Sequence, residues 1–232
     1  MNIFFKKKWP LAQSGKALLA ISVIALAACG NQPPAPDWAL SAEAAAQKAS
    51  VAYLQGQQRV EELQWKKARD AVASTGRPDL AARVELMRCA AQVASLEWDN
   101  CPGYAALAQD AAEPEQAYVR YLQAQLEMVD VAQLPEPQRA VASAIAASGT
   151  PALADIKDPL SRLVAAGVVL RAGGVTPQLL QLGVETASAQ GWRRPLMAWL
   201  LLQRKAAQQA GDMQDAAAID RRLKLLDVTL PR

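Results

Sequence analysis

The sequence predicts an all-α protein: an irregular solenoid of helical hairpins, or a bundle, of about ten helices. Three observations carry this. Just over half of the residues are hydrophobic but only 5% are aromatic, and the two phenylalanines, Phe4 and Phe5, stand at the extreme N-terminus. A core therefore has to be built from Ala, Leu and Val with a few Trp and Tyr, and alanine is the strongest helix former. Apolar residues recur at three- and four-residue steps, the period of one helix face. Proline and glycine punctuate the chain where helices start and stop, and no stretch alternates as a strand does.

Taken in chain order, the first 28 residues stand apart. Lys6, Lys7, Lys8 and Lys16 make a basic head with no acidic residue, Ala17–Ala28 is apolar except for Ser22, and small residues close the stretch. This is the layout of an export signal. The apolar run falls short of the ~20 residues that cross a bilayer. Residues 29–36 follow as a tether: after Cys29, the seven residues "GNQPPAP" favour an extended backbone and reach at most ~25 Å. The helical domain is expected over residues 37–232.

Asp37 begins a helix through "WALSAEAAAQKASVAYLQ", which Gly56 either ends or kinks. "QQRVEELQWKKARDAVAS" continues to Gly76, as a second helix or as the far half of one bent helix. In "RPDLAARVELMRCAAQVASLEW" the residues Leu80, Val84, Met87, Ala91 and Ala94 form one apolar face, with Arg83, Arg88, Gln92 and Ser95 off it. "DNCPGY" breaks that helix. Later helices are announced by Glu113-Pro114, Thr150-Pro151, Asp158-Pro159 and Thr176-Pro177, because proline suits the first helical turn and Thr or Asp can cap it. Gly149, Gly173-Gly174, Gly191 and Gly211 mark helix ends. "AAGVVL" lies inside helical pattern on both sides.

The tetrapeptide Leu26-Ala27-Ala28-Cys29 resembles the lipobox of bacterial lipoproteins. The resemblance implies diacylglycerol transfer to the Cys29 thiol, cleavage just before it and acylation of the new amine. Two or three acyl chains make a lasting membrane anchor. Gly30 is not the aspartate that signals inner-membrane retention in that family, so the resemblance implies the outer membrane, inner leaflet, with the body in the periplasm. The last hairpin, "PLMAWLLLQRKAAQQAGDMQDAAAIDRRLKLL", resembles a tetratricopeptide-type unit, with Ala216 near the close contact. Arg204 and Ala207 stand where that family has its glycine and tyrosine, and no regular period continues upstream.

Charge and composition narrow the function classes. The chain has 25 basic and 22 acidic residues; without the four lysines of the signal, 21 remain against 22, a net charge of −1. That balance argues against nucleic acid as a partner, which calls for a basic face. There is no histidine, so Ser-His-Asp and Cys-His catalysis and the usual zinc sites are excluded. No nucleophile-elbow, Ser-x-x-Lys, His-Glu-x-x-His or phosphate-loop pattern occurs. No catalytic residue, metal site or cofactor is expected. In an exported chain Cys89 and Cys101 are expected to pair. A continuous helix would hold them ~18 Å apart, so the bridge requires the chain after Trp98 to turn back. Such a link is worth on the order of 3 kcal/mol.

Several residues are candidates for binding, each with a structural alternative. Trp38, Trp65, Trp98, Trp192 and Trp199 can line a groove or fill gaps between alanine-rich helices; Trp38 lies near the anchor and can meet the membrane interface. Glu61, Glu62, Lys66 and Lys67 allow pairs such as Glu62–Lys66 on one helix. Arg193 and Arg194 in a turn can take a carboxylate or phosphate, or stand in solvent. Asp155 and Asp158 flank Lys157, with Asp158 suited to capping. The expected function is a membrane-anchored periplasmic scaffold or adaptor that binds an envelope protein or peptide. The alternatives are a small-ligand or lipid-binding lipoprotein, which needs an apolar cavity, and a cell-wall glycan hydrolase, which needs paired carboxylates in a groove.

Overall fold

The computed structural model describes residues 34–147, 149 and 151–227. Among them there are α-helices and short 3-10 turns and no strand. The signal segment and Cys29 lie outside the described residues. Pro34 to Pro36 are exposed and non-helical, and Pro36 has the extended backbone of a polyproline segment.

The first two helices, α1 (Asp37–Gln55) and α2 (Gln58–Ala73), form an antiparallel hairpin. Gly56 ends α1 outright, at φ 78°, a left-handed conformation that costs glycine least. The bent-helix alternative is thereby settled. Ala42, Ala45, Ala46 and Ala49 of α1 are buried and let α2 approach closely, while Trp65 of α2 fills the space that small side chains leave.

The third helix, α3 (Pro78–Ala94), is the hub, packing against α1, α2 and four later elements. It was expected to reach Trp98 but stops at Ala94. Leu96 takes the left-handed conformation, φ 59°; its N–H donates to the Val93 carbonyl at 3.0 Å and that of Glu97 to Gln92 at 2.9 Å. These are the two bonds of a Schellman stop, made here without glycine. Asn100 and Cys101 are also left-handed. The chain thus doubles back, and Cys89 and Cys101 are disulfide-bonded with Cα atoms 5.5 Å apart. Gln92 and Ser95, expected off the apolar face, are buried. Gln92 donates to the Asp99 carboxylate at 2.9 Å, and that carboxylate accepts from the Cys101 N–H at 3.0 Å, so a polar pair pins the returning loop.

The short α4 (Pro102–Ala105) leads to α5 (Glu113–Leu122), α6 (Glu136–Ala146) and α7 (Pro159–Arg171). Asp158 accepts from the Ser161 N–H at 2.7 Å, capping α7 as its sequence demands. Pro151 starts no α-helix; only the 3-10 turn Leu153–Asp155 follows it. Thr150 lies outside the described residues. The "AAGVVL" stretch is the buried middle of α7. There Gly167 lies so close to α3 that a Cβ would sit 2.4 Å from the Val93 carbonyl oxygen.

The last described elements are α8 (Pro177–Ala189), α9 (Arg193–Gln209) and α10 (Met213–Asp227), an up-and-down set turning at Gly191 and Gly211. Thr176 caps α8 by accepting from Leu179 at 3.1 Å. In the α9–α10 hairpin Ala216 is buried, and Arg204, at the place of the tetratricopeptide glycine, pairs with Asp220 across the hairpin at 2.8 Å. Helix α9 also returns to the beginning of the fold. Trp199, wholly buried, donates its indole N–H to the Ala94 carbonyl at 3.1 Å, and the start of α9 packs on the end of α1.

Candidate functional site

Where α1 ends, α9 begins and α2 faces α3, the helices leave an open groove of about 530 Å³. One face of α2 supplies Gln58, Glu61, Glu62, Trp65 and Arg69, positions three and four apart that share a helix side. Helix α3 supplies Arg88 and Gln92, one turn apart, and the loop after it supplies Glu97. Tyr53 closes one end from α1 and Arg194 from α9. Three arginines and three glutamates therefore line one groove, which makes it polar and close to neutral.

These charges are held differently. Arg69 forks onto the Glu85 carboxylate, with Nη2 at 3.3 Å from Oε2. Arg194 lies over the Tyr53 ring, 4.3 Å from its centroid, donates to the Tyr53 carbonyl at 2.9 Å and reaches Glu97 at 3.4 Å. Glu62 is exposed and accepts from Gln58 at 2.9 Å. Burial, and next the Glu97 carboxylate beside it, hold the Tyr53 phenol far above its ordinary range. Burial pushes the Glu61 carboxyl above the usual glutamate value, and the nearby Arg194 and Arg88 only partly offset it. Trp65 is 2% exposed, and its indole N–H finds no acceptor among the described residues.

No protein-family model, no curated protein and no solved structure matches this chain. The site has to be read from its own chemistry.

Most of the sequence-derived candidates fall elsewhere. Trp192 and Trp199 are core residues, and Trp98 is exposed with the Arg171 guanidinium 6.0 Å from its ring. Trp38 lines a narrow apolar cleft of about 30 Å³ with Ala42, Leu80 and Met87. The Glu62–Lys66 pair that the spacing allows does not form: Lys66 turns to Asp70 instead, and Lys67 is exposed. Arg193 and Arg194 are not a solvent-facing pair. Arg193 donates to the Leu226 carbonyl in the last turn of α10 at 2.7 Å, where a cation complements the helix dipole, and Arg194 reaches the groove. Asp155 and Lys157 are exposed while Asp158 serves as a cap, so these three build no common site. Ligand atoms of Cys89, Asp99 and Cys101 converge within 4.8 Å, but the two sulfurs are bonded to each other and offer no thiolate to a metal. Sequence reasoning singled out Trp65, Glu61, Glu62 and Arg194 separately. It missed Tyr53, Gln58, Arg69, Arg88, Gln92 and Glu97. The only trace of the groove in the sequence is the polar spacing of 58, 61, 62, 65 and 69 along α2.

Proposed function

We propose that this chain is a lipid-anchored adaptor of the cell envelope, acylated at Cys29, held at the inner leaflet of the outer membrane and docking a peptide segment of another envelope protein in its charged groove. The observation that carries the docking is the groove itself, polar and balanced in charge. A groove of about 530 Å³ is within the usual ~300–1,000 Å³ of ligand sites, but its charged lining suits a peptide better than an acyl chain. Anchoring supports the reading through the lipobox resemblance, because a surface-bound adaptor meets its partner at raised local concentration.

The test places a photo-reactive amino acid at Gln58, on the groove, and separately at Lys224, on α10, in living cells. A discrete protein adduct from position 58 and not from 224 is expected. No adduct at 58, or the same adducts from both, refutes the adaptor. The anchor is checked by palmitate labelling, which Cys29→Ala abolishes. One observation favours a second reading: Glu61, raised by burial in a groove shared with Glu97, has the character of a general acid in a glycan hydrolase. Release of reducing sugar ends from peptidoglycan, lost in Glu61→Gln, separates that reading from the adaptor.

A further inference from the structure

Arg88 is an exception in this protein. Eight arginines among the described residues are half-buried, and seven of them hold an acceptor. Arg83, Arg120 and Arg204 pair with Glu115, Asp130 and Asp220. Arg162, Arg171, Arg193 and Arg194 donate to backbone carbonyls. The Arg88 guanidinium, half-buried on the groove wall, has neither a hydrogen bond nor an ion pair among the described residues. Across the groove on α2, Glu61 is likewise half-buried, and its carboxylate has no donor partner among the described residues. A half-buried charge has lost part of its hydration and gains most from an opposite charge brought to it. Here a cation and an anion share one groove and attract each other across it, but among the described residues no hydrogen bond or ion pair joins them.

The other groove charges define what fits. Arg69 and Arg194 are engaged with Glu85, Tyr53 and Glu97, and Glu62 is exposed to water. One cationic and one anionic partner position therefore remain. A polyanion meets a single free guanidinium beside three carboxylates and is disfavoured. A purely cationic segment leaves Arg88 unmatched and faces its repulsion.

We infer that the groove recognises a peptide presenting one carboxylate and one ammonium on the same side, the carboxylate to Arg88 and the ammonium to Glu61. This rests on the adaptor reading and specifies what its partner must carry. In an extended segment such groups stand two residues apart, because alternate side chains share a face. The free ends of a very short peptide offer the same two charges.

The experiment titrates the acylated full chain, in neutral detergent micelles, by calorimetry. The probe is the pentapeptide Ala-Lys-Ala-Asp-Ala with both ends blocked, and alanyl-alanine with free ends is the second arm. Saturable heat from the pentapeptide is expected, weakened at least about tenfold by norleucine for its lysine, by asparagine for its aspartate, and by Arg88→Gln or Glu61→Gln in the protein. Binding of the free dipeptide alone assigns the same two positions to a chain end rather than to an internal segment. The peptide-side changes need no variant protein, so a misfolded variant does not obscure the answer. No heat from either probe, or equal affinity of the norleucine and asparagine peptides, overturns the inference. If crosslinking from position 58 still captures a partner, the adaptor stands and only this charge rule fails. If the pentapeptide binds but no partner is captured, the rule stands and the adaptor fails.

Discussion

Gly183→Ala puts two opposite expectations in direct competition. In the middle of a helix, alanine for glycine is worth ~1 kcal/mol of added stability. Yet a Cβ at position 183 on α8 would lie 2.3, 2.4 and 2.7 Å from three atoms of the Trp199 ring. Carbon atoms rest at ~3.5–4.0 Å, so the ring has to move by about an ångström. It has little room, being wholly buried and tied through its indole N–H to the Ala94 carbonyl. Overpacking costs ~1–3 kcal/mol, and a buried donor pulled from its acceptor a further ~1–3 kcal/mol. Set against the helix gain, the variant is expected to lose about 1–5 kcal/mol, a fall in Tm of roughly 2–20 °C for a domain of this size. Urea denaturation followed by circular dichroism measures it. Replacing Trp199 by Ala removes the clashing atoms, so Gly183→Ala should cost ~1–2 kcal/mol less in that background. A single variant as stable as the parent, or more so, refutes the claim that this glycine exists for helix contact. The contact bears on the groove as well, since α9 carries both Trp199 and Arg194.

Two further predictions follow from charge and covalent constraint. Burial raises the Glu61 carboxyl in the folded state, against the pull of Arg194 and Arg88 and with Glu62 and Glu97 adding to the rise. The native chain then holds more protons than the unfolded one between the ordinary and the raised value, and stability falls as pH climbs through that window. Glu61→Gln should therefore melt higher than the parent at neutral pH, with the gap closing below about pH 4.5; a variant that melts lower at neutral pH counts against it. Reduction of the Cys89–Cys101 bond, which closes a 12-residue separation, should cost on the order of 3 kcal/mol by denaturation with and without dithiothreitol. An unchanged midpoint in the fully reduced chain refutes that cost.

Local signals were legible and tertiary ones were not. Asp158 and Thr176 announce α7 and α8 because a cap acts within three residues, and Gly56 announces the end of α1 because a left-handed residue is cheapest as glycine. The end of α3 was misread because Leu96 takes that conformation with no glycine to mark it. The spacing left the Lys66 partner open because α2 offers carboxylates four residues away on both sides, Glu62 and Asp70; Gln58 holds Glu62, and Lys66 takes Asp70. The groove was hidden for a different reason. Arg194 and Tyr53 are 141 residues apart in the chain, and they meet only because Trp199 docks α9 on the end of α3. No periodicity encodes that contact. The polar face of α2 alone reads as a solvated surface until α3 and α9 wall it in.

The two ends of α1 differ in a way that bears on how an anchored body works. Near Asp37, Trp38 opens onto the small apolar cleft; Tyr53, at the other end, belongs to the charged groove. At 1.5 Å per residue the helix carries the chain about 22 Å between them. A tether of seven residues reaches at most ~25 Å. On the anchored reading, the apolar end stays close to the lipid while α1 acts as a rigid spacer and holds the groove at a second distance of similar size. Flexible linkers of equal reach lower effective concentration by letting a site wander, whereas a helical spacer restricts it. Lengthening the tether by ten or so Gly-Ser residues before Asp37 should then leave peptide affinity in micelles unchanged and reduce crosslinking in cells from position 58. Equal loss of both places the groove's function in the tether itself and removes the spacer role of α1.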